Sequence, residues 1–227
     1  MKAMSLLKLA DLRLEPTPLR LVDCRLPEPG PGEVRIKVSA CGVCHTELDE
    51  IEGRTPPPKL PIIPGHQVVG RIDKLGPAVN NWRLDERVGV AWLYSTCSQC
   101  KWCRSQRENL CSDFCATGRD VNGGYAEYMI ASAAFVHSIP KIFTDAEAAP
   151  LLCAGAVGYR SIRLACLQPG APLGLTGFGA SAHLVLRVVR HLYPDLPVYV
   201  FARKKKEQDF ARELGAAWAG SSDKQPP

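Results

Sequence analysis

Long apolar runs are missing from this 227-residue sequence, as are repeats and low-complexity tracts. No stretch reaches the roughly 18 consecutive apolar residues that a membrane-spanning helix needs. No signal-peptide core forms either, because Lys8, Asp11 and Arg13 interrupt the apolar N-terminus. Aromatic residues make up only 7% and do not interleave with the basic ones, so the formal charge of +5 indicates solvated surface rather than a nucleic-acid interface. We therefore expect a globular cytoplasmic protein with no membrane or nucleic-acid partner.

Cysteine, in contrast, is abundant. Ten cysteines in a protein expected in a reducing compartment indicate metal binding more often than disulfide bonds. Four of them, Cys97, Cys100, Cys103 and Cys111, are spaced so that one tight loop can wrap a tetrahedral ion, which predicts a closed zinc site. An iron–sulfur cluster uses similar runs, but typically with a proline after a cysteine, and here Ser112 follows Cys111. Four unligated surface thiols are the plainer alternative.

A second, dispersed set consists of Cys44, His66 and Cys153. One histidine with two cysteines is the ligand set of catalytic zinc sites that keep a fourth position open for water or substrate. Taken singly, each residue has a plainer explanation, since a lone cysteine usually behaves as a small buried hydrophobe.

The pattern of the chain changes near residue 144. Before it, short apolar segments cut by proline and glycine predict β structure, with strands over Glu33–Val38, Gln67–Leu75, Glu86–Trp92 and Tyr125–Ala131. Thr144–Leu167 then predicts one or two helices, capped by Thr144 or Asp145. Strand and helix patterns follow in alternation over Leu173–Thr176, Ala180–Leu192, Val198–Ala202 and Lys204–Leu214, and Gly215–Trp218 opens a third strand. This βαβα order predicts a parallel sheet with crossover helices, and hence a fold class that joins β and α/β parts.

A glycine-rich turn, Gly177-Phe178-Gly179-Ala180-Ser181-Ala182, joins the first of these strands to its helix. In that context the glycines allow a tight turn and a close approach to the pyrophosphate of a dinucleotide. The second strand ends in Ala202, followed by Arg203 and three lysines, where an NAD site places an acid for the ribose 2′-hydroxyl. The sequence therefore favours NADP over NAD, unless the basic run is only the solvated start of a helix.

Together these motifs resemble the zinc-dependent medium-chain alcohol dehydrogenases. The resemblance runs in order from about residue 20 to the C-terminus, through Gly42-Val43-Cys44-His45-Thr46, Pro64-Gly65-His66, the four-cysteine segment, Gly123–Tyr128 and Gly177-x-Gly179-x-x-Ala182. It implies a GroES-like zinc-binding catalytic domain over residues 1–154 and a partial Rossmann domain over residues 155–227. It also implies an oxidoreductase that moves hydride reversibly between a primary alcohol or aldehyde and NAD(P), with two zinc ions per chain. The full-length enzyme would be a homo-oligomer.

The resemblance also assigns roles to single residues. Cys44, His66 and Cys153 would hold the catalytic zinc, and the four-cysteine segment the structural zinc. Thr46 would hydrogen-bond the substrate oxygen and pass on its proton, and Trp92 would line the substrate pocket. The cofactor would be contacted by His45, Gly177, Gly179, Ala182 and Arg203.

Three positions depart from the family pattern. The acid after the ligand histidine is the neutral Gln67, the aspartate after the relay threonine is Glu47, and Asp49 stands where a relay histidine often lies. No zinc ligand is affected, but the path of the substrate proton changes, and Asp49 is a catalytic candidate by position.

The last residues, Ser221–Pro227, resemble an interior loop, and they follow only the first half of a six-stranded dinucleotide-binding fold. We therefore expect a dehydrogenase truncated at its C-terminus, either a fragment or the product of a truncated gene. Two alternatives stay open: a zinc-binding protein without catalytic activity, and a thiol protein that buffers metal or redox state.

Overall fold

The computed structural model describes residues 1–168 and 170–223, which form two compact units, Met1–Cys153 and Ala154 onward. The first unit is built on antiparallel strands and the second on parallel ones. Among the described residues, no helix is both long and apolar enough to cross a membrane.

The first unit contains nine strands and three short α-helices. They are β1 (Lys2–Leu6), β2 (Leu19–Asp23), β3 (Glu33–Cys41), α1 (His45–Ile51), β4 (Val68–Leu75), β5 (Arg87–Val90), β6 (Leu93–Ser95), α2 (Lys101–Arg104), β7 (Cys115–Ala116), β8 (Tyr128–Ser132), β9 (Val136–Ser138) and α3 (Asp145–Ala148). Single 3₁₀ turns occupy Glu108–Leu110, Ala133–Phe135 and Ala149–Leu152.

An antiparallel five-stranded sheet, in the order β8-β3-β4-β5-β9, provides the core of this unit. Val34, Ile36, Val68, Ile72 and Met129 lie on its covered face, and each is 2% exposed or less. Full burial of such a side chain contributes about 1.5–3 kcal/mol, so this face accounts for the strand pairing. The alternation in Glu33–Val38 thus correctly predicted β3.

The same sheet brings two loops together. Cys41, at the end of β3, lies opposite Val68, at the start of β4. The Gly42 N–H donates to the Gln67 carbonyl at 2.9 Å, which extends this pairing beyond the strands. The residues directly after β3 and those directly before β4 therefore lie side by side.

The second unit contains α4 (Ala154–Ala165), β10 (Leu173–Thr176), α5 (Ala180–Leu192), β11 (Val198–Phe201), α6 (Lys205–Glu213) and β12 (Trp218–Gly220). The strands are parallel in the order β10-β11-β12, as the βαβα pattern predicted. Leu186, Val189, Val198, Val200 and Ala211 form its core, each fully buried. The predicted bounds of β10 and α5 are confirmed to the residue.

Three elements of the first unit differ from prediction. The strand predicted over Glu86–Trp92 is shorter, because β5 ends at Val90 and the next strand, β6, begins only at Leu93 and pairs with β7. The strand predicted from Tyr125 begins at Tyr128, the first residue of β8. Helix α1 was not predicted, since seven residues with two glutamates show no apolar stripe.

Candidate metal centre

Cys44 is the N-cap residue of α1. Its sulfur accepts a hydrogen bond from the Thr46 N–H at 3.4 Å, and its own N–H donates to Glu47 Oε2 at 2.8 Å. This reciprocal pair is a capping box in which a cysteine stands where serine or threonine is usual. The two contacts fix the direction in which the Cys44 sulfur points.

His66 lies two residues before β4 and is 1% exposed. Its Nδ1 is 2.7 Å from Glu47 Oε1, and its Nε2 is 3.7 Å from the Cys44 sulfur. A carboxylate beside one ring nitrogen selects the tautomer that leaves the other nitrogen free to bind a metal. Glu47 therefore caps α1 with one oxygen and orients His66 with the other.

Cys153, the last residue of the first unit, is the third member of this cluster. It follows the 3₁₀ turn Ala149–Leu152, which comes directly after α3. Ala148 and Ala149 are each 2% exposed and pack with Val69 of β4. Thr144, one of the two caps that the sequence offered, is the N-cap of α3. This packing holds the Cys153 sulfur 3.8 Å from the Cys44 sulfur.

The separations within this set suit a tetrahedral ion. The ligand atoms of Cys44, His66 and Cys153 all lie within 4.8 Å of one another. With metal–sulfur bonds near 2.3 Å, neighbouring sulfurs around a tetrahedral zinc are about 3.8 Å apart. The Cys44 and Cys153 sulfurs are 3.8 Å apart, which matches that edge. The 3.7 Å between the Cys44 sulfur and His66 Nε2 is close to the nitrogen–sulfur edge of about 3.6 Å that a zinc–nitrogen bond of about 2.05 Å gives. Three protein ligands would leave the fourth position of such an ion for another group.

The electrostatics of the three ligands favour a thiolate. Hydrogen bonding by the Cys153 thiol, followed by that of His66 and Thr46, lowers the pKa of Cys44 to about 3 although burial acts in the opposite sense. Because its thiol bonds to Cys44, and because it is buried, the pKa of Cys153 is raised. Burial alone would lower the pKa of His66, but hydrogen bonds with Cys44 and Glu47 raise it to about 9. A bound divalent cation would favour the thiolate of both cysteines.

Gly65 sets the position of His66. Its φ of +102° lies in the region that favours glycine, and a Cβ there would lie 2.7 Å from the Tyr125 ring and 2.9 Å from the Cys41 sulfur. Any side chain would therefore push the His66 segment away from its neighbours.

The remaining residues predicted around this site are placed as follows. The Trp92 ring meets the His66 ring edge-on, with centroids 5.0 Å apart. Thr46 is half-buried and His45 is exposed, both in the first turn of α1. The Asp49 carboxylate accepts from Arg54 Nε at 2.5 Å and does not belong to the cluster of metal-ligating groups.

Two carboxylates of α1 are involved that the sequence did not assign. Glu47 was recognised as a departure from the family pattern, but its contact with His66 was not predicted. Glu50 is 1% exposed and was not considered. The three-residue spacing of Glu47 and Glu50, with Ile51 beside them, is the helical periodicity that could have indicated a common buried face.

A separate cluster lies on the segment that contains α2 and consists of Cys97, Cys100, Cys103 and Cys111. Sulfur–sulfur separations are 3.9 Å for Cys97–Cys103, 3.5 Å for Cys100–Cys103 and 3.5 Å for Cys97–Cys111. All ten cysteines of the chain are free thiols. Backbone N–H groups of Gln99 and Cys100 lower the pKa of Cys97 to about 7. Four sulfurs around one centre at these separations fit a closed tetrahedral zinc site.

The glycine-rich turn lies in the second unit. Gly177 has a φ of +80°, and Gly179 is the N-cap of α5. A Cβ at either glycine would meet nothing within 4 Å, so the turn is open on that side. No side chain caps α5, and its first-turn N–H groups are therefore available to an anionic group. Ala182 follows within that first turn, and these residues fit the phosphates of a dinucleotide.

The end of β11 carries the basic run. Ala202 directly follows β11 and is 4% exposed, whereas Arg203 is exposed. Lys204 and Lys205 form ion pairs with Glu207 and Asp209 within α6 and its cap. Within the part of the chain that the structure describes, Arg203 has no ion-pair partner.

Comparisons with known proteins agree with this architecture. Residues 30–141 match the alcohol dehydrogenase GroES-like domain family. "Probable alcohol dehydrogenase AdhA" of Mycobacterium tuberculosis (strain CDC 1551 / Oshkosh) is 44% identical over 215 residues, which cover 92% of this chain and 62% of the relative.

Solved structures give the same fold. A short chain alcohol dehydrogenase of E. coli CFT073, complexed with NADH, superimposes with a TM-score of 0.88 at 26% identity and covers 100% of this chain and 64% of that one. CAD from Helicobacter pylori, complexed with NADP(H), superimposes with a TM-score of 0.88 at 24% identity and covers 100% of this chain and 65% of that one. At this identity the similarity supports the fold and nothing further.

Residues 30–141 thus belong to the alcohol dehydrogenase GroES-like domain family. The similarity to alcohol dehydrogenases and the fold class predicted from the sequence are both confirmed. It spans 62% of the length of the Mycobacterium tuberculosis relative.

Proposed function

We propose that the chain forms the zinc-binding catalytic domain, over residues 1–154, and part of the NAD(P)-binding domain, over residues 155–227, of a zinc-dependent alcohol dehydrogenase. The enzyme would transfer hydride reversibly between a primary alcohol or its aldehyde and NAD(P). The observation that carries this proposal is the convergence of Cys44, His66 and Cys153 at the separations of a tetrahedral ion.

Two zinc ions per chain are proposed. Cys97, Cys100, Cys103 and Cys111 would hold a structural ion with four sulfur ligands. Cys44, His66 and Cys153 would hold the catalytic ion. When bound by Cys44, His66 and Cys153, a zinc ion supplies Lewis-acid chemistry that lowers the pKa of an alcohol.

The chain itself would position the substrate and move its proton. The Thr46 backbone is fixed by the bond from its N–H to the Cys44 sulfur, and we assign its hydroxyl to the substrate oxygen, whose proton it passes on. Trp92 packs against His66 and would form one wall of the substrate pocket, which favours primary alcohols over bulkier polyols. Asp49 would take part in proton transfer only after its ion pair with Arg54 breaks.

The second unit would hold the cofactor. Gly177, Gly179 and Ala182 would contact the pyrophosphate at the N-terminus of α5. Arg203, which is exposed and free of an ion-pair partner among the described residues, would contact a 2′-phosphate, so we propose a preference for NADP. We further propose a cytoplasmic location, since ten free thiols suit a reducing compartment. The full-length enzyme would be a homo-oligomer.

Zinc analysis of protein purified without chelator tests the metal assignment. We expect two zinc ions per chain, and one after His66→Ala. His137→Ala serves as the matched control, because His137 is an exposed histidine on β9 in the same unit. Zinc bound equally by both variants, or no zinc in the unmodified chain, would contradict the assignment.

Turnover of simple primary alcohols and of sorbitol-like polyols, each with NAD and with NADP, tests the reaction. The full-length protein should prefer a primary alcohol and NADP. A preference for polyols would refute the proposed substrate class.

A further inference from the structure

Glu50 is a buried carboxyl group that the proposed function leaves without a role. It lies on α1, three residues after Glu47, and is 1% exposed. Neither of its carboxyl oxygens has a hydrogen-bond partner among the described residues. Burial of such a group without a partner is costly, so a native structure that retains one calls for an explanation.

The charged and titratable groups that act most strongly on Glu50 are Glu47, His66, Arg119 and Cys44. Glu47 repels it, and burial together with this repulsion raises the pKa of Glu50 to about 8. Arg119 is the one permanent cation in this set, but its guanidinium already donates to both carboxylate oxygens of Asp120, at 3.0 Å and 2.8 Å. The protein groups around Glu50 therefore do not favour its ionised form.

Two of these four groups, Cys44 and His66, are the residues proposed to hold the catalytic metal. Glu50 itself does not belong to the cluster whose ligand atoms lie within 4.8 Å of one another, so it is not a ligand in this arrangement. A divalent cation at that cluster would supply the missing positive charge. Coulomb attraction acts over several ångströms in a poorly solvated interior, so direct contact is not required.

We propose that Glu50 is a positioning residue of the catalytic metal site: its carboxylate, outside the ligand set, stabilises a divalent cation held by Cys44, His66 and Cys153. This inference rests on the proposed function, because it needs that site to bind metal. Gln67, adjacent to His66 and 1% exposed, is neutral, so α1 provides the acidic charge here through Glu47 and Glu50.

The alternative is that Glu50 stays protonated and merely fills space. Glu50→Gln separates the two explanations, since glutamine has the shape of a protonated glutamate but cannot ionise. If only the shape matters, the substitution leaves metal binding unchanged. If the charge matters, it weakens metal binding without changing the ligands.

The experiment is a chelator titration of the two-zinc protein at pH 8, with zinc release followed for each site. The four-cysteine zinc serves as an internal reference. We expect Glu50→Gln to weaken the other site by about 10-fold or more, because the attraction between the carboxylate and the divalent cation is lost. Glu52→Gln is the matched control: Glu52 is the C-cap of the same helix and pairs with Arg54, and its loss should leave both affinities unchanged.

Two further measurements separate charge from folding. Glu50→Asp keeps the charge and should recover most of the lost affinity. Cobalt-loaded protein should show altered absorption bands at the cysteine–histidine site in Glu50→Gln, and the unfolding midpoint in excess chelator reports metal-free stability. Unchanged zinc affinity in Glu50→Gln, or equal losses in the Gln and Asp variants, would overturn the inference. Failure of the unmodified chain to bind a second zinc would instead refute the proposed function.

Discussion

Substitution of Gly65 by alanine should disrupt the metal site through packing alone. Gly65 immediately precedes His66 and has a φ of +102°. A Cβ at this position would lie 2.7 Å from the Tyr125 ring and 2.9 Å from the Cys41 sulfur, closer than such contacts occur in proteins. Tyr125 cannot simply withdraw, since its N–H donates to the Pro64 carbonyl at 3.0 Å. We expect the loop that carries His66 to move instead.

The cost has two parts that a control can separate. A residue with a Cβ in the left-handed region costs about 1–2 kcal/mol. Overpacking of a close-packed site adds about 1–3 kcal/mol. Gly32→Ala carries only the first part, because Gly32 has a φ of +75° but a Cβ there would meet nothing within 4 Å. Gly65→Ala should therefore destabilise the protein by about 2–5 kcal/mol, and Gly32→Ala by about 1–2 kcal/mol.

Chemical denaturation of both variants, with zinc bound and with zinc removed, measures these differences. Gly65→Ala should also weaken zinc binding by Cys44, His66 and Cys153, whereas Gly32→Ala should not. The reasoning would be refuted if the two variants lost equal stability and retained equal zinc affinity, since the contacts around Gly65 would then be compliant.

Three further predictions follow from single contacts. Glu47→Gln should weaken zinc binding at the His66 site by about 10-fold to 100-fold, because it removes the carboxylate 2.7 Å from Nδ1; equal affinity in a chelator titration would contradict this. Cys100→Ser should release one zinc and lower the unfolding midpoint, as structural zinc binding is coupled to folding, whereas the exposed Cys166→Ser should change neither. Ala202→Asp should shift the cofactor preference of the full-length enzyme from NADP towards NAD, and better use of NAD by the unmodified enzyme would disprove the NADP assignment.

The sequence predicted best those parts that depend on local pattern. β10 and α5 have the predicted bounds because apolar periodicity, a glycine turn and the change from strand to helix all agree there. Thr144 was one of two candidate caps, and the structure selects it because Glu147 three residues later completes a capping box. Cysteine spacing was sufficient to group the sulfurs of the four-cysteine segment, since all of them lie on one short stretch of chain.

Long-range placement was predictable only through the family resemblance. Nothing local in Cys44, His66 or Cys153 indicates that they meet, because strand register between β3 and β4 joins the first two and the packing of α3 on β4 brings in the third. Helix α1 was not predicted, because the burial of its side chains also depends on tertiary packing. Its buried face consists of Glu47, Glu50 and Ile51, so the polar residues that a pattern assigns to solvent are turned inward here.

Part of the acidic charge near the proposed catalytic zinc site thus has a different origin from the one that the family pattern suggests. The position after His66 is the neutral Gln67, and Asp49 is engaged by Arg54 on the exposed side of α1. Glu47 and Glu50 lie on the opposite, buried side of the same helix, where Glu47 touches His66 and Glu50 has no partner among the described residues. Glu47 orients His66 through its contact with Nδ1, and a buried carboxylate such as that of Glu50 can stabilise a nearby cation without touching it. The helix can therefore supply the charge that the neutral Gln67 lacks. Substitutions in α1 should therefore affect metal binding more strongly than the substitution of Gln67 by glutamate.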